Sequence, residues 1–213
     1  MPSEDAFDRL FADRFEALPA DCGNETVPGI DESPAHRDWS ARPTTRDQKR
    51  MEEFIAPRLT KRSCILHVGI GNSGLASRFC QHVERIEGLT ISRAEQAHAL
   101  SLNLPGYYVR LINKYSAEFA AMTGRFEFIL DNNPSSFACC LQHFRRMMLA
   151  YRARLAPGGM LISDLSGLAH LASDAPNLRR WSFSVADWQE MAGALGMEAG
   201  RDGEQVVWMR AER

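Results

Sequence analysis

The apolar positions of the chain change their period near residue 60. Before that point they recur at helical spacing, which predicts one amphipathic helix over residues 4–18 and a second over residues 45–59. Between these helices, residues 19–43 contain four prolines and many polar side chains, and connections of this kind commonly form lids or binding loops. We therefore interpret residues 1–59 as a helical N-terminal lid or cap.

Beyond residue 60, short apolar runs alternate with amphipathic segments. The predicted strands cover residues 64–68, 86–91, 107–112, 126–130, 160–163 and 205–209. The first predicted helix of this region begins at residue 74. Four further helices are predicted over residues 93–102, 116–122, 137–155 and 187–195. This alternation predicts an α/β fold around a mainly parallel sheet, so residues 60–213 form the second predicted domain.

Composition narrows the functional classes. The chain has 213 residues, 45% of them hydrophobic and 24% charged, so one globular domain with an appendage is expected. A formal charge of −2 argues against binding nucleic acid through a broadly basic surface. No apolar run approaches the roughly 20 residues of a membrane span, and the acidic first residues do not resemble a secretory signal. We expect neither a nucleic-acid nor a membrane partner.

The cysteines and histidines indicate no metal site. The five cysteines are an odd number without zinc-ribbon spacing, and no two histidines have H-x-x-x-H spacing. The adjacent pair Cys139-Cys140 suits neither a low-strain disulfide nor zinc ligation. These patterns predict reduced cysteines and a cytoplasmic protein.

A glycine-rich turn joins the first predicted strand to the first helix of the α/β domain. Gly69, Gly71 and Gly74 have G-x-G-x-x-G spacing, which permits a tight turn and close approach of the backbone to a ligand. A sharp strand-to-helix turn without a ligand is the alternative interpretation. Because open α/β sheets bind ligands at the carboxyl ends of their strands, the position of this turn favours a binding site.

Three segments resemble class I S-adenosylmethionine-dependent methyltransferases. Residues 68–74 resemble their first motif, residues 155–161 their turn into the fifth strand, and residues 126–133 their fourth strand with its polar tip. The resemblance covers about residues 50–213. It implies a Rossmann-like seven-stranded sheet with an antiparallel last strand, and S-adenosylmethionine lying over the glycine turn. The cofactor-binding residues implied at this turn are Gly69, Gly71, Asn72, Ser73 and Gly74.

An NAD dehydrogenase is the competing interpretation of the glycine turn. The Pro-Gly-Gly turn at residues 157–159 and the single nucleotide-binding half favour the methyltransferase.

The second strand departs from the usual methyltransferase pattern. Many members place an acidic residue at its end for the ribose, whereas this chain has Thr90, in a Gly-x-Thr-x-Ser stretch similar to that of cyclopropane fatty acid synthases. In that subgroup a polar residue on the next helix turn contacts the ribose, which implies Glu95 or Gln96 here. A helix-capping box formed by Ser92 and Glu95 is the alternative, and both roles are compatible.

Further contacts are implied by position. Ile91 follows Thr90 in the ribose stretch, and Asn113 stands after the third strand, where it could bond to the adenine edge. Trp181, Ser182 and Ser184 lie in the segment that often walls the acceptor pocket in this superfamily.

The polar tip of the fourth strand is the main catalytic candidate. Asp131, Asn132 and Asn133 precede Pro134, a pattern that is also typical of a strand-ending turn. We expect Asp131 to face the methionine end of the cofactor, and Asn132 or Asn133 to orient a reacting amine. Because side chains alternate along a strand, the two asparagines should differ in effect.

The resemblance supports three functional hypotheses. The first is methyl transfer from S-adenosylmethionine to a small molecule. The second is cyclisation of S-adenosylmethionine itself, as in related enzymes that form azetidine-2-carboxylate and methylthioadenosine, with Asn132, Asn133, Ser182, Ser184 and Trp181 around the reacting chain. The third is a non-catalytic binding module. The expected partner is therefore a small-molecule substrate or S-adenosylmethionine itself.

Overall fold

The computed structural model describes residues 29–31, 38–135, 138, 140–169 and 183–212. The helix predicted over residues 4–18, most of the predicted lid, Trp181 and the candidate Ser182 lie outside the described residues.

A seven-stranded sheet forms the centre of the molecule, with strand order β3-β2-β1-β4-β5-β7-β6. Strand β7 pairs antiparallel with both β5 and β6, while the pairs from β3 to β5 are parallel. The predicted Rossmann-like methyltransferase fold is thereby confirmed. The strands are β1 Cys64–Val68, β2 Arg85–Thr90, β3 Tyr107–Leu111, β4 Phe126–Asp131, β5 Leu155–Asp164, β6 Met197–Asp202 and β7 Val206–Ala211.

Helices connect the strands and cover both faces of the sheet. A short 3-10 turn, Ala56–Arg58, follows the first helix. The α-helices are α1 Arg46–Ile55, α2 Gly74–Phe79, α3 Arg93–Ser101, α4 Ala117–Ala121, α5 Leu141–Arg154, α6 Leu165–Leu168 and α7 Val185–Ala194.

Several elements differ from the sequence prediction. Helix α5 begins at Leu141, not at residue 137, and the Cys140 sulfur accepts a hydrogen bond from the His143 backbone at this start. Strand β5 begins at Leu155, so the Pro-Gly-Gly turn lies inside the strand, next to an irregular register with β4. Strand β6 was not predicted, because this partly exposed edge strand has no apolar run. Helix α1 begins at Arg46, and the side chain of Thr45, its N-cap residue, makes no cap hydrogen bond.

Helix α1 belongs to the hydrophobic core. Met51, Phe54 and Ile55 are buried on the face of the sheet that also buries Ile65 of β1 and Leu130 of β4. The described part of the predicted cap therefore packs directly on the sheet. The division at residue 59 remains a prediction.

The topology places the functional site. The strand order reverses between β1 and β4, and parallel sheets bind ligands beyond the carboxyl ends of their strands at such a reversal. The glycine turn follows β1 and the Asp-Asn-Asn tip ends β4, so the two predicted motifs meet there. Across the described ranges of the chain, no helix combines the length and apolar character that a membrane crossing requires.

Candidate active site

A pocket of about 460 Å³ lies at the carboxyl ends of β1, β2 and β4. The lining combines the glycine turn, the strand tips and the segment that leads into α1. The lining residues are Trp39, Arg42, Pro43, Thr44, Thr45, Asp47, Gln48, His67, Val68, Gly69, Ile70, Gly71, Asn72, Gly74, Leu75, Leu89, Thr90, Ile91, Ser92, Glu95, Ile112, Asn113, Lys114, Tyr115, Asp131, Asn132 and Asn133.

The glycine turn leaves its backbone open to the pocket. Gly69 and Gly71 have φ angles of +76° and +50°, in the left-handed region that side chains disfavour. A Cβ atom at Gly69 would meet no atom within 4 Å, so the space beside this backbone is free for a ligand. A Cβ at Gly74 would instead overlap the Thr44 hydroxyl. The third glycine therefore serves close packing of the segment above it.

Asn72 ties that segment to the turn. Its Nδ2 donates to the Arg42 carbonyl at 2.8 Å, and its Oδ1 accepts from the Gly74 backbone at 2.9 Å and from the Thr44 hydroxyl at 3.3 Å. Ser73 is buried and its hydroxyl lies 3.0 Å from that of Tyr107, away from the pocket. Asn72 thus holds residues 42–44 over the pocket.

Thr90 and Glu95, which were predicted to serve the ribose, meet at the end of β2. The Thr90 hydroxyl donates to Glu95 Oε2 at 2.6 Å, and the backbone of Trp39 donates to Glu95 Oε1 at 3.2 Å. Glu95 is buried, and its backbone N–H donates to the Ser92 side chain, which caps α3. The reciprocal half of the predicted capping box does not form, because the Ser92 backbone N–H donates to the Thr90 hydroxyl. Each carboxylate oxygen keeps a further lone pair that can accept from a ligand hydroxyl. Gln96 points away, to the Val109 carbonyl.

We call Asp131, Lys114 and Tyr151 the Asp131 cluster. The Lys114 ammonium donates to both oxygens of Asp131 at 3.0 and 2.9 Å and to the Asn133 carbonyl. The Tyr151 hydroxyl donates to Asp131 at 2.7 Å, and the Asn133 backbone does so at 3.1 Å. Burial lowers the pKa of Lys114, although Asp131 opposes this shift. Burial, with the charge of Asp131, raises the pKa of Tyr151 well above its ordinary value. This cluster fixes the inner side of the strand tip.

We use the name Asn132 cluster for Asp47 and Asn132, which are hydrogen-bonded to each other, together with His67, which lines the same pocket. Asn132 Nδ2 donates to the Asp47 carboxylate on α1. Because a carboxylate only accepts, the amide nitrogen must face Asp47, and Asn132 Oδ1 is left buried without a partner among the described residues. Burial alone would raise the pKa of Asp47, but hydrogen bonds from Thr45, Asn132 and the Gln48 backbone lower it.

His67 lies on the face of the sheet against which α1 packs. It pairs with Leu130 in the register of β1 and β4, so its ring and the Asn132 side chain, two positions beyond Leu130, project towards α1. The ring is 2% exposed, and burial lowers the pKa of His67 to about 4. The imidazole is therefore neutral at physiological pH.

A second contact anchors α1 over the strand ends. Arg50 binds the buried carboxylate of Asp164, at the end of β5, through two hydrogen bonds of 2.7 and 2.8 Å. On the other side of Asn132, a Cβ at Gly167 would overlap the Asn132 backbone oxygen and Oδ1. The tip of β4 is thus confined between α1 and α6.

The structure brings together most of the residues predicted from sequence. Those that line the pocket are Gly69, Gly71, Asn72, Gly74, Thr90, Ile91, Glu95, Asn113, Asp131, Asn132 and Asn133. Ser73, Gln96 and Ser184 do not line it. Ser184 forms the capping box of α7 with Asp187, which occupies its hydroxyl. Asn113 lines the pocket while its Oδ1 accepts from the Tyr115 backbone.

Sequence reasoning did not assign Asp47, His67 or Lys114 to the site. Asp47 lies in a helix interpreted as a cap, His67 in an apolar strand, and Lys114 beyond the third strand. The adjacency of His67 to the glycine turn was the one available signal.

The comparisons with known proteins agree with this fold. No protein-family model and no curated protein sequence matches the chain. Among solved structures, the N-methyltransferase NodS from Bradyrhizobium japonicum WM9 in complex with S-adenosyl-l-homocysteine has a TM-score of 0.57 at 13% identity, covering 99% of this chain and 100% of that chain. The sugar N-methyltransferase KedS8 from a Streptoalloteichus species has a TM-score of 0.58 at 13% identity, covering 81% and 89%.

A third structure contains the cofactor. CalS10, an amino pentose methyltransferase from Micromonospora echinaspora with bound SAM, has a TM-score of 0.52 at 15% identity, covering 75% of this chain and 86% of that chain. At these identities the likeness shows the fold: this chain has the fold of class I S-adenosylmethionine-dependent methyltransferases.

Proposed function

We propose that the protein is an S-adenosylmethionine-dependent methyltransferase that acts on a small molecule. The observation that carries this proposal is the pairing of an open glycine turn with the buried Thr90–Glu95 acceptor pair, both in one pocket at the strand reversal. A fold alone does not define an activity, so these groups of the pocket, more than the topology, support the proposal.

The residues present fit the cofactor. The free space beside Gly69 admits a ligand against the backbone, and Glu95 offers lone pairs to the two ribose hydroxyls. Asn113 lines the pocket beyond β3 and is our candidate for the adenine edge, while Asn132 and Asn133 line it at the end of β4. The segment from Trp39 to Gln48 covers the pocket and would exclude water.

When bound, S-adenosylmethionine would supply an activated methyl group to the acceptor's lone pair, with S-adenosylhomocysteine as the leaving product and the acceptor's proton released to solvent after product release. The protein's own contribution is then to orient the two partners and keep the site dry. NodS, KedS8 and CalS10 are N-methyltransferases or methyltransferases of an amino sugar, which supports an amine acceptor here.

The first test is incubation with S-adenosylmethionine, with and without a panel of small amines, followed by mass spectrometry. We expect S-adenosylhomocysteine only when an acceptor is added. Methylthioadenosine and azetidine-2-carboxylate formed together without an acceptor, above a protein-free control, would instead establish cyclisation, the alternative that the sequence left open.

The second test is the affinity of S-adenosylhomocysteine measured by calorimetry. Glu95→Ala removes the ribose acceptor and should weaken binding by about 10- to 100-fold. Gln96→Ala is the matched control, because Gln96 is adjacent on the same helix but lies outside the pocket lining. Equal effects of the two variants would contradict the placement of the cofactor.

A further inference from the structure

The His67 imidazole has unused hydrogen-bonding capacity at the pocket. It lines the pocket and is almost fully buried, yet neither Nδ1 nor Nε2 has a hydrogen-bond partner within the described part of the chain. Buried polar groups are nearly always hydrogen-bonded, because leaving one unpaired loses the bonds it made to water. A ligand that bonds to this ring would satisfy it.

The charge near His67 favours a ligand group that donates hydrogen bonds. The carboxylate of Asp47, on the same side of the pocket, has a lowered pKa and is ionised at neutral pH. Arg42 and Lys114 are the cationic lining residues among those described. Lys114 is engaged by the Asp131 cluster, and the Arg42 guanidinium lies 4.6 Å over the Trp39 ring. A carboxylate or phosphate on the α1 side would meet Asp47 without a compensating cation, whereas an amine would be attracted.

Asn132 positions the carboxylate for this purpose. Its amide nitrogen donates to Asp47 Oδ2, while the backbone of Gln48 donates to Oδ1 at 3.0 Å. These contacts, together with the hydrogen bond from Thr45, fix the carboxylate beside the pocket, where its charge attracts a cationic group.

We propose that His67 and Asp47 form a subsite on the α1 side of the pocket that binds the amine nitrogen to be alkylated. A neutral imidazole nitrogen accepts one N–H, and the Asp47 carboxylate balances the charge that develops on nitrogen. This inference rests on the proposed function and specifies its substrate class. The amine belongs either to a separate acceptor or to the α-amino group of S-adenosylmethionine, and the binding chemistry is the same.

Three ligands separate these sources by calorimetry, without turnover. S-adenosylhomocysteine carries the α-amino group, and its desamino analogue lacks only that group. Sinefungin adds an amine where the transferable methyl group would be. The ratio of the affinities for S-adenosylhomocysteine and its desamino analogue reports a subsite for the cofactor's own amine. The ratio for sinefungin and S-adenosylhomocysteine reports a subsite for an acceptor amine.

The variants are His67→Leu and Asp47→Asn. Each should lower one of the two ratios by about tenfold, the loss expected for one hydrogen bond or charge contact. Glu53→Gln is the matched control, because it removes the same charge from the exposed face of α1 outside the pocket, and both ratios should stay unchanged. His67→Gln keeps a hydrogen-bonding group and should restore part of the lost ratio, which a purely structural role would not produce.

The outcomes are distinct. If wild-type protein binds S-adenosylhomocysteine but neither ratio changes in folded variants, His67 and Asp47 are structural and the subsite is refuted. Failure of wild-type protein to bind any of the three ligands would refute the proposed function itself. Should His67→Leu not fold, Asp47→Asn still decides the question, because the replacement is polar and matches the original side chain in size.

Discussion

The Asp131 and Asn132 clusters flank the same strand tip, but their polar atoms are satisfied to different degrees. In the Asp131 cluster, both carboxylate oxygens, the Lys114 ammonium and the Tyr151 hydroxyl all take part in hydrogen bonds. In the Asn132 cluster, Asn132 Oδ1 and both nitrogens of His67 have none among the described residues. Consecutive residues of one chain thus serve two purposes. Saturated groups hold the backbone in place, and unsaturated groups retain the capacity to bind a ligand.

Removing the carboxylate of the saturated cluster should have the largest effect. Asp131→Leu leaves the Lys114 ammonium buried without its partner, which should lower the free energy of unfolding by about 3–5 kcal/mol. Urea denaturation of the variant measures this loss. The double variant Asp131→Leu/Lys114→Met removes both charges and should recover much of it. A double variant no more stable than the single one would mean that the ion pair is not what the tip depends on.

The two asparagines of the tip should respond differently to replacement by alanine. Asn132→Ala should lower turnover about 10²-fold, because it loosens the tip and frees Asp47 from its partner. Asn133→Ala should have a much smaller effect, since the contacts of Asn133 to the Asp131 cluster are made by its backbone. Single-turnover kinetics at saturating S-adenosylmethionine separates the two. Equal rates would show that the tip is only a strand-ending turn.

Gly167 tests how tightly the Asn132 side is confined. Gly167→Ala places a methyl group into the Asn132 backbone oxygen, so we expect a loss of about 1–3 kcal/mol in stability together with loss of ligand binding. Gly193→Ala in α7 is the control, because its new Cβ meets no atom within 4 Å and should stabilise the helix by about 0.5–1 kcal/mol. Thermal unfolding compares them. Similar melting temperatures for both variants would contradict the packing described for the tip.

A change in acid sensitivity at His67 should be confined to acidic pH, so it is the smallest of these effects at neutral pH. The pKa of His67 is about 4 in the folded protein, lowered by burial from an ordinary value of 6.5. The unfolded state therefore binds more protons between these values, and stability falls as the pH decreases from 6.5 towards 4, by at most about 1.4 kcal/mol per pH unit. His67→Leu should remove this part of the slope in urea denaturation across that range. Parallel pH profiles for both proteins would show that the ring is not buried in its neutral form.

Local chemistry made much of the fold predictable. The strands of the parallel region have apolar runs, and their predicted bounds differ from the observed ones by a residue or so at β1 to β4. Strand β6 was not visible, because an edge strand with partly exposed side chains has no periodic apolar signal. Ser184 was expected at the pocket but caps α7. A serine before a helix can either cap it or contact a ligand, and the local sequence does not distinguish these two roles.

Short-range patterns were enough to specify the class of fold, the glycine turn and the polar strand ends, because these depend on local spacing and on backbone conformations that few residues allow. The contacts between polar groups depend on how segments that are distant in sequence pack together. Asp47 reaches Asn132 across 85 residues of sequence, and Arg50 reaches Asp164 across 114. Such contacts follow from where α1 packs on the sheet, and no local pattern encodes that distance. The same packing leaves Asp131 saturated and His67 unsaturated, since hydrogen-bond satisfaction is a property of the assembled pocket.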